Sequence, residues 1–199
     1  MEAMRESSEK LAHAAQLHQL IDAVSAGDLS TLDAVAVSAG PGSYTGLRVG
    51  SSAAKGICYA LDLPLIALST LECMALDFAT EHPVNDEMLA PMLDARRMEV
   101  YFALFDAAGT RLQPDQAQVV DAYFLRETRG AIHIFGSGAA KCRELLPDRF
   151  VLHAGFEPHA KSMLAASFQA FRERRFADAA MFEPWYLKNF VGTQAKKMS

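Results

Sequence analysis

Apolar and polar positions change rhythm several times along this chain. From Glu9 to Val24 ("EKLAHAAQLHQLIDAV") Leu17, Leu20, Ile21 and Val24 recur at helical spacing, and Ser7 or Ser8 stands where a cap would begin the helix. "TLDAVAVSAG" is then a short continuous apolar run, the pattern of a strand buried on both faces of a parallel sheet. A Gly-Pro-Gly turn follows and opens a second predicted helix, Tyr44 to Leu61. "DLPLIALST" reads as a second buried strand, and a third helix is predicted from Leu71 to Ala79. This alternation belongs to layered α/β folds.

The polar, proline-containing "TEHPVNDEM" is the predicted boundary between a first unit, 1–80, and a second, 81–199. Beyond it "MLAPMLDA" and "MEVYFALFDAAGTRL" read as strands, the latter running into an Ala-Gly turn, and "DAYFLRETR" as a short helix. "AIHIFGSGAAKCRELLP" repeats the earlier plan of strand, glycine turn and helix, which points to internal duplication. "RFVLHA" fits one more strand and "PHAKSMLAASFQAFRERRF" an amphipathic helix, and an irregular basic tail follows.

Composition narrows the function classes. With 199 residues, 51% of them hydrophobic, the chain can bury a real core. A net charge of −5 supplies no overall attraction to nucleic acid or to an anionic membrane. No apolar run approaches the roughly 20 residues of a membrane span, and "MEAMRESSEK" lacks the apolar core of a signal peptide. Cys58, Cys73 and Cys142 are odd in number and form no Cys-x-x-Cys pair, so buried reduced thiols and a cytoplasmic location are expected.

The segment "AVSAGPGSYTGLRVG" has the outline of a phosphate-binding loop, but its details do not fit one. A P-loop requires a lysine after its last glycine, and Leu47 follows Gly46. Gly40, Gly42 and Gly46 are spaced Gly-x-Gly-x-x-x-Gly, and Ser69 and Thr70 stand where a dinucleotide fold needs an acidic residue. Gly40, Gly42 and Ser43 at the helix start remain weak candidates for an anion site. Gly46, Gly50 and Ala54 recur every four residues and suggest a helix face stripped for close packing. Arg48, set against the helix dipole, is expected to pair with a carboxylate or stack at a boundary, and Lys55 to be solvated.

The run "GPGSYTGLRVGSSAAKGICYALDLPLIALSTLECMA" strongly resembles the TsaB (YeaZ-like) family, and "LDARRMEVYFALFD", "FGSGAAK" and "FEPWYLK" continue the resemblance more loosely. The resemblance implies a two-lobed α/β fold of the actin-like, ribonuclease-H-like ATPase superfamily. It also implies a non-catalytic subunit of the machinery that makes threonylcarbamoyladenosine on tRNA. The implied partners are a TsaD-like catalytic subunit, a TsaE-like ATPase reached through the complex, and a second copy of the chain when alone; tRNA is met only indirectly. No cofactor is implied. Family members usually open with a strand carrying Asp-Thr-Ser and a hairpin, which this sequence lacks, so the first sheet is expected to miss its central strand.

The catalytic paralogue carries a His-x-x-x-His metal dyad after its second strand. Laid on that pattern, this chain has Thr70 and Met74, neither a substitute for imidazole ligands, so no metal or catalytic residue is expected. His13 and His18 lie roughly 140° apart around a helix, and His82, His133, His153 and His159 show no ligand spacing. Leu17, Ile21, Gly46, Gly50, Ala54 and Ile57 are the expected partner interface. Two alternatives stand beside the scaffold reading: a nucleotide-dependent or glycoprotease-like (M22-type) hydrolase of the same superfamily, and an anion-sensing module built on Gly40 to Ser43.

Overall fold

The computed structural model describes residues 3–7 and 13–188, without the side chains of 13–15. The predicted first helix before His13 and the tail beyond Lys188 lie outside the described residues. The chain runs through α1 (His13–Ser25), β1 (Val35–Gly40), α2 (Tyr44–Leu61), β2 (Leu65–Ser69) and α3 (Thr70–Glu81). It continues through β3 (Met88–Asp94), β4 (Glu99–Phe105), β5 (Arg111–Val119), β6 (Ile132–Phe135), β7 (Phe150–His153) and α4 (Leu164–Arg172). Both helices that follow a strand of the first unit are started by serine. The Ser43 hydroxyl accepts from the Gly46 amide at 3.3 Å and the Ser69 hydroxyl from Glu72 at 3.2 Å, so each occupies a donor the helix leaves orphaned. Asp62 ends α2 in the left-handed region at φ 53°.

Two sheets result. β1 and β2 form a parallel pair, with Val35 opposite Leu65. The second sheet has the order β5-β4-β3-β6-β7, an antiparallel meander joined through β3 to the parallel pair β6 and β7. The pleat sorts β3 by parity: Ala90 and Met92 enter a core with Phe102, Phe124, Ile132 and Ile134, while Leu89 and Leu93 meet Phe105, Phe135 and α3. This mixed α/β architecture is the expected fold class.

Helix α3 serves both sheets. Its Leu71, Met74, Ala75 and Phe78 cover the second sheet, whereas Cys73 joins Ile66 and Leu68 of β2. α4 follows a 3-10 turn at Ala160–Met163 and returns to the first sheet, where Ala166 and Ala170 pack on the same β2 residues. The segment after it stays there: Ala177 donates its amide to the Leu65 carbonyl at 2.8 Å. The α3–β3 connection falls at the predicted boundary, yet α4 and residues 177–185 pack on the first unit's strands.

Two local expectations are corrected and one strand is added. "DAYFLRETR" forms successive turns and no helix, with Leu125 at φ 50° and Arg149 bonding the Leu125 carbonyl at 2.6 Å. The helix expected after "FGSG" is only a 3-10 turn, Ala140–Cys142. "RLQPDQAQV" is an edge strand that its polar composition concealed.

Candidate functional site

Gly40 takes φ +111°, open to glycine and strained for other residues. A Cβ there would stand 3.0 Å from the Trp185 carbonyl oxygen and 3.2 Å from Leu47 Cδ1. Trp185 in turn donates its amide to the Ala39 carbonyl at 2.7 Å, and the rings of Tyr44 and Tyr186 lie 4.8 Å apart. Phe182 is buried with Ala39, Ala54, Cys58 and Leu65. The glycine turn is therefore roofed by the chain's own C-terminal segment. Of the anion-site candidates, Gly40 lies beneath that roof, Gly42 is half-buried, and the Ser43 hydroxyl is engaged in capping.

Lys55 is not solvated as expected. Its ammonium donates to the Ala180 carbonyl at 3.1 Å and to that of Phe182 at 2.9 Å, fastening the roof to α2. Arg48 is exposed and sits over the Tyr44 ring, 5.7 Å from its centroid.

At the metal-dyad positions the Thr70 hydroxyl pairs with that of Ser38 at 2.6 Å, and Met74 is fully buried. Beside them Arg111 reaches from β5 to Glu72 at 2.9 Å and also pairs with Asp115, whose other oxygen accepts from Ser69 at 2.7 Å. These charges satisfy one another between α3 and β5, and Ser69 ties them to the end of β2. Among the described residues no group of three or more His, Cys, Asp or Glu side chains is arranged to hold a metal ion.

The small-residue stripe of α2 rides on the chain's own sheet. A Cβ at Gly50 would meet Val37 Cγ2 at 3.8 Å, one at Gly46 would meet Ser43 Cβ at 3.5 Å, and Ala54 is only 5% exposed. Ala54 thus belongs to the internal core and is not presented at the surface. Next to this stripe, α1 and α2 enclose an open, mainly apolar groove of about 680 Å³, lined by His18, Leu29, Val49, Ala53, Gly56 and Ile57 among others. Leu17 and Ile21 of α1 are half-buried.

The second sheet assembles what spacing did not foretell. His133 places Nδ1 2.8 Å from His153 Nε2 and Nε2 2.8 Å from the Glu87 carboxylate. His82 stacks on Phe78 at 4.4 Å and approaches His153 edge-on at 5.5 Å. His153 borders a cleft of about 460 Å³ with Phe78, His82 and Phe156. Burial, then the neighbouring His133 and His82, hold its pKa below the usual histidine value. Parallel register sets His133 opposite Val151 and His153 opposite Phe135, so the two histidines lie diagonally on one face of the sheet, a pairing invisible to local spacing. His159 instead faces Glu6 at 3.0 Å, His18 is exposed on α1, and the side chain of His13 lies outside the described residues.

Residues 5–174 match the family described as "TsaD: tRNA N6-adenosine threonylcarbamoyltransferase". The tRNA threonylcarbamoyladenosine biosynthesis protein TsaB of Bacillus subtilis is 30% identical over 79% of this chain and 70% of its own length. TsaB of Escherichia coli is 31% identical over 82% of this chain and 74% of its own length. Among solved structures, YeaZ from Pseudomonas aeruginosa superposes with a TM-score of 0.76 at 27% identity, over 90% of this chain and 87% of that one. A Pseudomonas aeruginosa protein described as similar to peptidase YeaZ gives 0.75 at 28% identity, over 88% and 84%.

Proposed function

This chain belongs to the TsaD-type threonylcarbamoyltransferase family, on its TsaB (YeaZ-like) side, and we propose that it acts in tRNA threonylcarbamoyladenosine biosynthesis as a non-catalytic subunit. Its role is to dock and support a TsaD-like catalytic partner, with a TsaE-like ATPase joining through the complex and a homodimer forming when the partner is absent. The work is cytoplasmic and needs no cofactor of its own. The groove between α1 and α2 is the docking face, with Ile57 in its lining and, outside that lining, the half-buried Leu17 and Ile21 of α1 as further apolar contacts. Gly46 and Gly50 keep the adjoining face of α2 low, with an added Cβ meeting only Ser43 Cβ at 3.5 Å and Val37 Cγ2 at 3.8 Å. Among the described residues no helix is long and apolar enough to cross a membrane.

The observation that carries this reading is the fate of the metal-dyad positions: a threonine hydrogen-bonded to Ser38 and a methionine sealed in the core. Neither position offers a ligand to a catalytic metal. The test is reconstitution. Threonylcarbamoyl transfer to tRNA is expected with a TsaD-like subunit plus this chain, and not with this chain alone. Transfer by the isolated chain, or full activity of the partner without it, overturns the proposal.

A hydrolase reading has one observation in its favour, the Glu87–His133–His153 row that orients an imidazole at an open cleft. Among the described residues no serine, threonine or cysteine lines that cleft to serve as nucleophile. Peptide or ester hydrolysis abolished by His153→Ala would support it; unchanged background rates remove it. Calorimetric titration with ATP and inorganic phosphate disposes in the same way of an anion-sensing role at Gly40 to Ser43.

A further inference from the structure

Helix α4 is built with its bulk outward. Ala166 and Ala170 make its buried face, at 3% and 1% exposure, while Phe168 is 67% exposed, Phe171 39% and, just past the helix, Phe176 41%. The same nine residues, "FQAFRERRF", carry Arg172, Arg174 and Arg175 against one acid, Glu173. That acid is already engaged, by Arg175 at 2.6 Å and by Gln169 at 2.9 Å. Arg172 and Arg174 pair with no carboxylate among the described residues.

The segment is ordered. Arg174 donates its amide to Phe171 at 3.1 Å and Arg175 to Ala170 at 2.8 Å, so the chain folds back on the helix end. This brings the Phe176 ring to 5.8 Å from that of Phe171. Phe168 and Arg172, one helical turn apart, share a face.

We propose that this segment, Phe168 to Phe176, is a binding surface for single-stranded or looped RNA. Exposed aromatic faces accept stacked bases, and guanidinium groups pair with phosphates and stack in turn. A paired duplex hides its base faces and would use the arginines alone. A purely apolar protein partner would bury two guanidinium groups without acceptors, whereas a chain of phosphates and unpaired bases satisfies both kinds of side chain. The acidic balance of the whole chain removes long-range attraction and leaves this local contact possible. α4 lies on the face of β1 and β2 opposite α2, since Ala54 and Cys58 pack on one side and Ala166 and Ala170 on the other. A partner seated in the α1–α2 groove therefore leaves the surface open. The identification of the RNA as tRNA rests on the proposed function; the surface itself does not.

The test uses fluorescence anisotropy of the full chain with a labelled RNA stem-loop carrying an unpaired loop and with a fully paired RNA duplex of equal length, at about 50 and 200 mM salt. Tighter binding of the stem-loop is expected. The double variant Arg172→Ala/Arg174→Ala should weaken it at least tenfold and flatten its salt dependence by roughly 0.7 per lost phosphate contact. Phe168→Ala, at an exposed position, should weaken it about tenfold through lost stacking. Melting curves verify folding of each variant. No binding by the wild type, equal binding by the variants, or capture of phosphatidylserine vesicles without RNA overturns the inference. Co-purification of a TsaD-like subunit on the same samples reports the subunit role separately: a wild type that holds the partner and not RNA sinks the RNA surface alone, and the reverse sinks the subunit role alone.

Discussion

His133 Nδ1 stands 2.8 Å from His153 Nε2, with the two rings stacked at 25°. Because the Glu87 carboxylate accepts on the other side of His133 at 2.8 Å, one proton arrangement suits a neutral pair. His133 donates from Nε2 to Glu87, accepts at Nδ1 from His153 Nε2–H, and leaves His153 Nδ1 bare toward the cleft. A second proton on His153 would meet partial burial and two neighbouring imidazoles. The row thus joins the approach to β3, then β6 and β7, and a charge on His153 is disfavoured by its burial and the two imidazoles beside it.

A pH dependence follows from that row. Burial, His133 and His82 hold the folded His153 pKa below its ordinary 6.5, so between the two values the unfolded chain binds more protons. The stabilisation is complete above pH 6.5 and is lost as pH falls from there through the folded value. Melting temperatures measured across this range should fall on acidification, and His153→Phe should flatten the slope. Equal slopes in the two proteins would mean that other groups govern the acid limb.

Cys73 should be inert in the folded protein. Burial, assisted by Glu72 and Asp77, pushes its thiol up to about 12, far from the thiolate that reacts. Titration with a disulfide reagent at pH 8 should leave Cys73 unmodified in native buffer and label it in denaturant. Mass spectrometry of the peptides assigns the site. Rapid native labelling of Cys73 would show that α3 opens readily.

How much of this was legible differs from element to element. α2 was predicted end to end because its signals are local: the turn before Ser43, the serine cap, and apolar residues at helical spacing. β5 was missed because an edge strand needs no apolar run, and Leu112 is half-exposed even in place. "DAYFLRETR" has helical composition, but two backbone carbonyls are held by Arg149, over twenty residues on, and tertiary contact overrides propensity. The roof over Gly40 and the His133–His153 pair join residues distant in sequence. No periodicity records such contacts, although the glycine at position 40 was a signal that something approaches closely.

Two glycine substitutions should move stability in opposite directions. Gly40→Ala forces a Cβ into φ +111° and to 3.0 Å from the Trp185 carbonyl, neither of which can yield cheaply. A loss of about 1–3 kcal/mol is expected. Gly56 lies mid-helix with nothing within 4 Å of an added Cβ, so Gly56→Ala should gain about 1 kcal/mol. Urea unfolding measures both, and a neutral Gly40→Ala would mean that the roof is not seated on the turn.

Lys55→Met should loosen the roof without unfolding α2. It removes the donor shared by the Ala180 and Phe182 carbonyls while keeping the aliphatic stem. Charged hydrogen bonds of this kind contribute about 1.5–3 kcal/mol. Hydrogen exchange should rise at residues 180–186 and stay unchanged in the second sheet. Uniform exchange across the chain would assign Lys55 a global role.

Two substitutions on α2 separate the proposed docking face from the packing beneath it. Gly50 points at Val37, so the added carbons of Gly50→Leu press on β1 and should cost about 1–3 kcal/mol of fold stability. Any weakened association in that variant would be ambiguous. Gly56 lines the groove between α1 and α2 and is open above, so Gly56→Arg leaves the core untouched and replaces a poor helix former with a good one. The guanidinium then occupies the groove, and a partner helix that fills it must either bury an unpaired charge or stand off. Size-exclusion chromatography with titrated TsaD-like partner, run beside melting curves, reads both effects. Gly56→Arg should melt no lower than the wild type and bind at least tenfold more weakly, while Gly50→Leu should melt lower. Unchanged affinity in a well-folded Gly56→Arg would remove the α1–α2 groove from the interface and move the search for the docking face to the exposed surface of the second sheet.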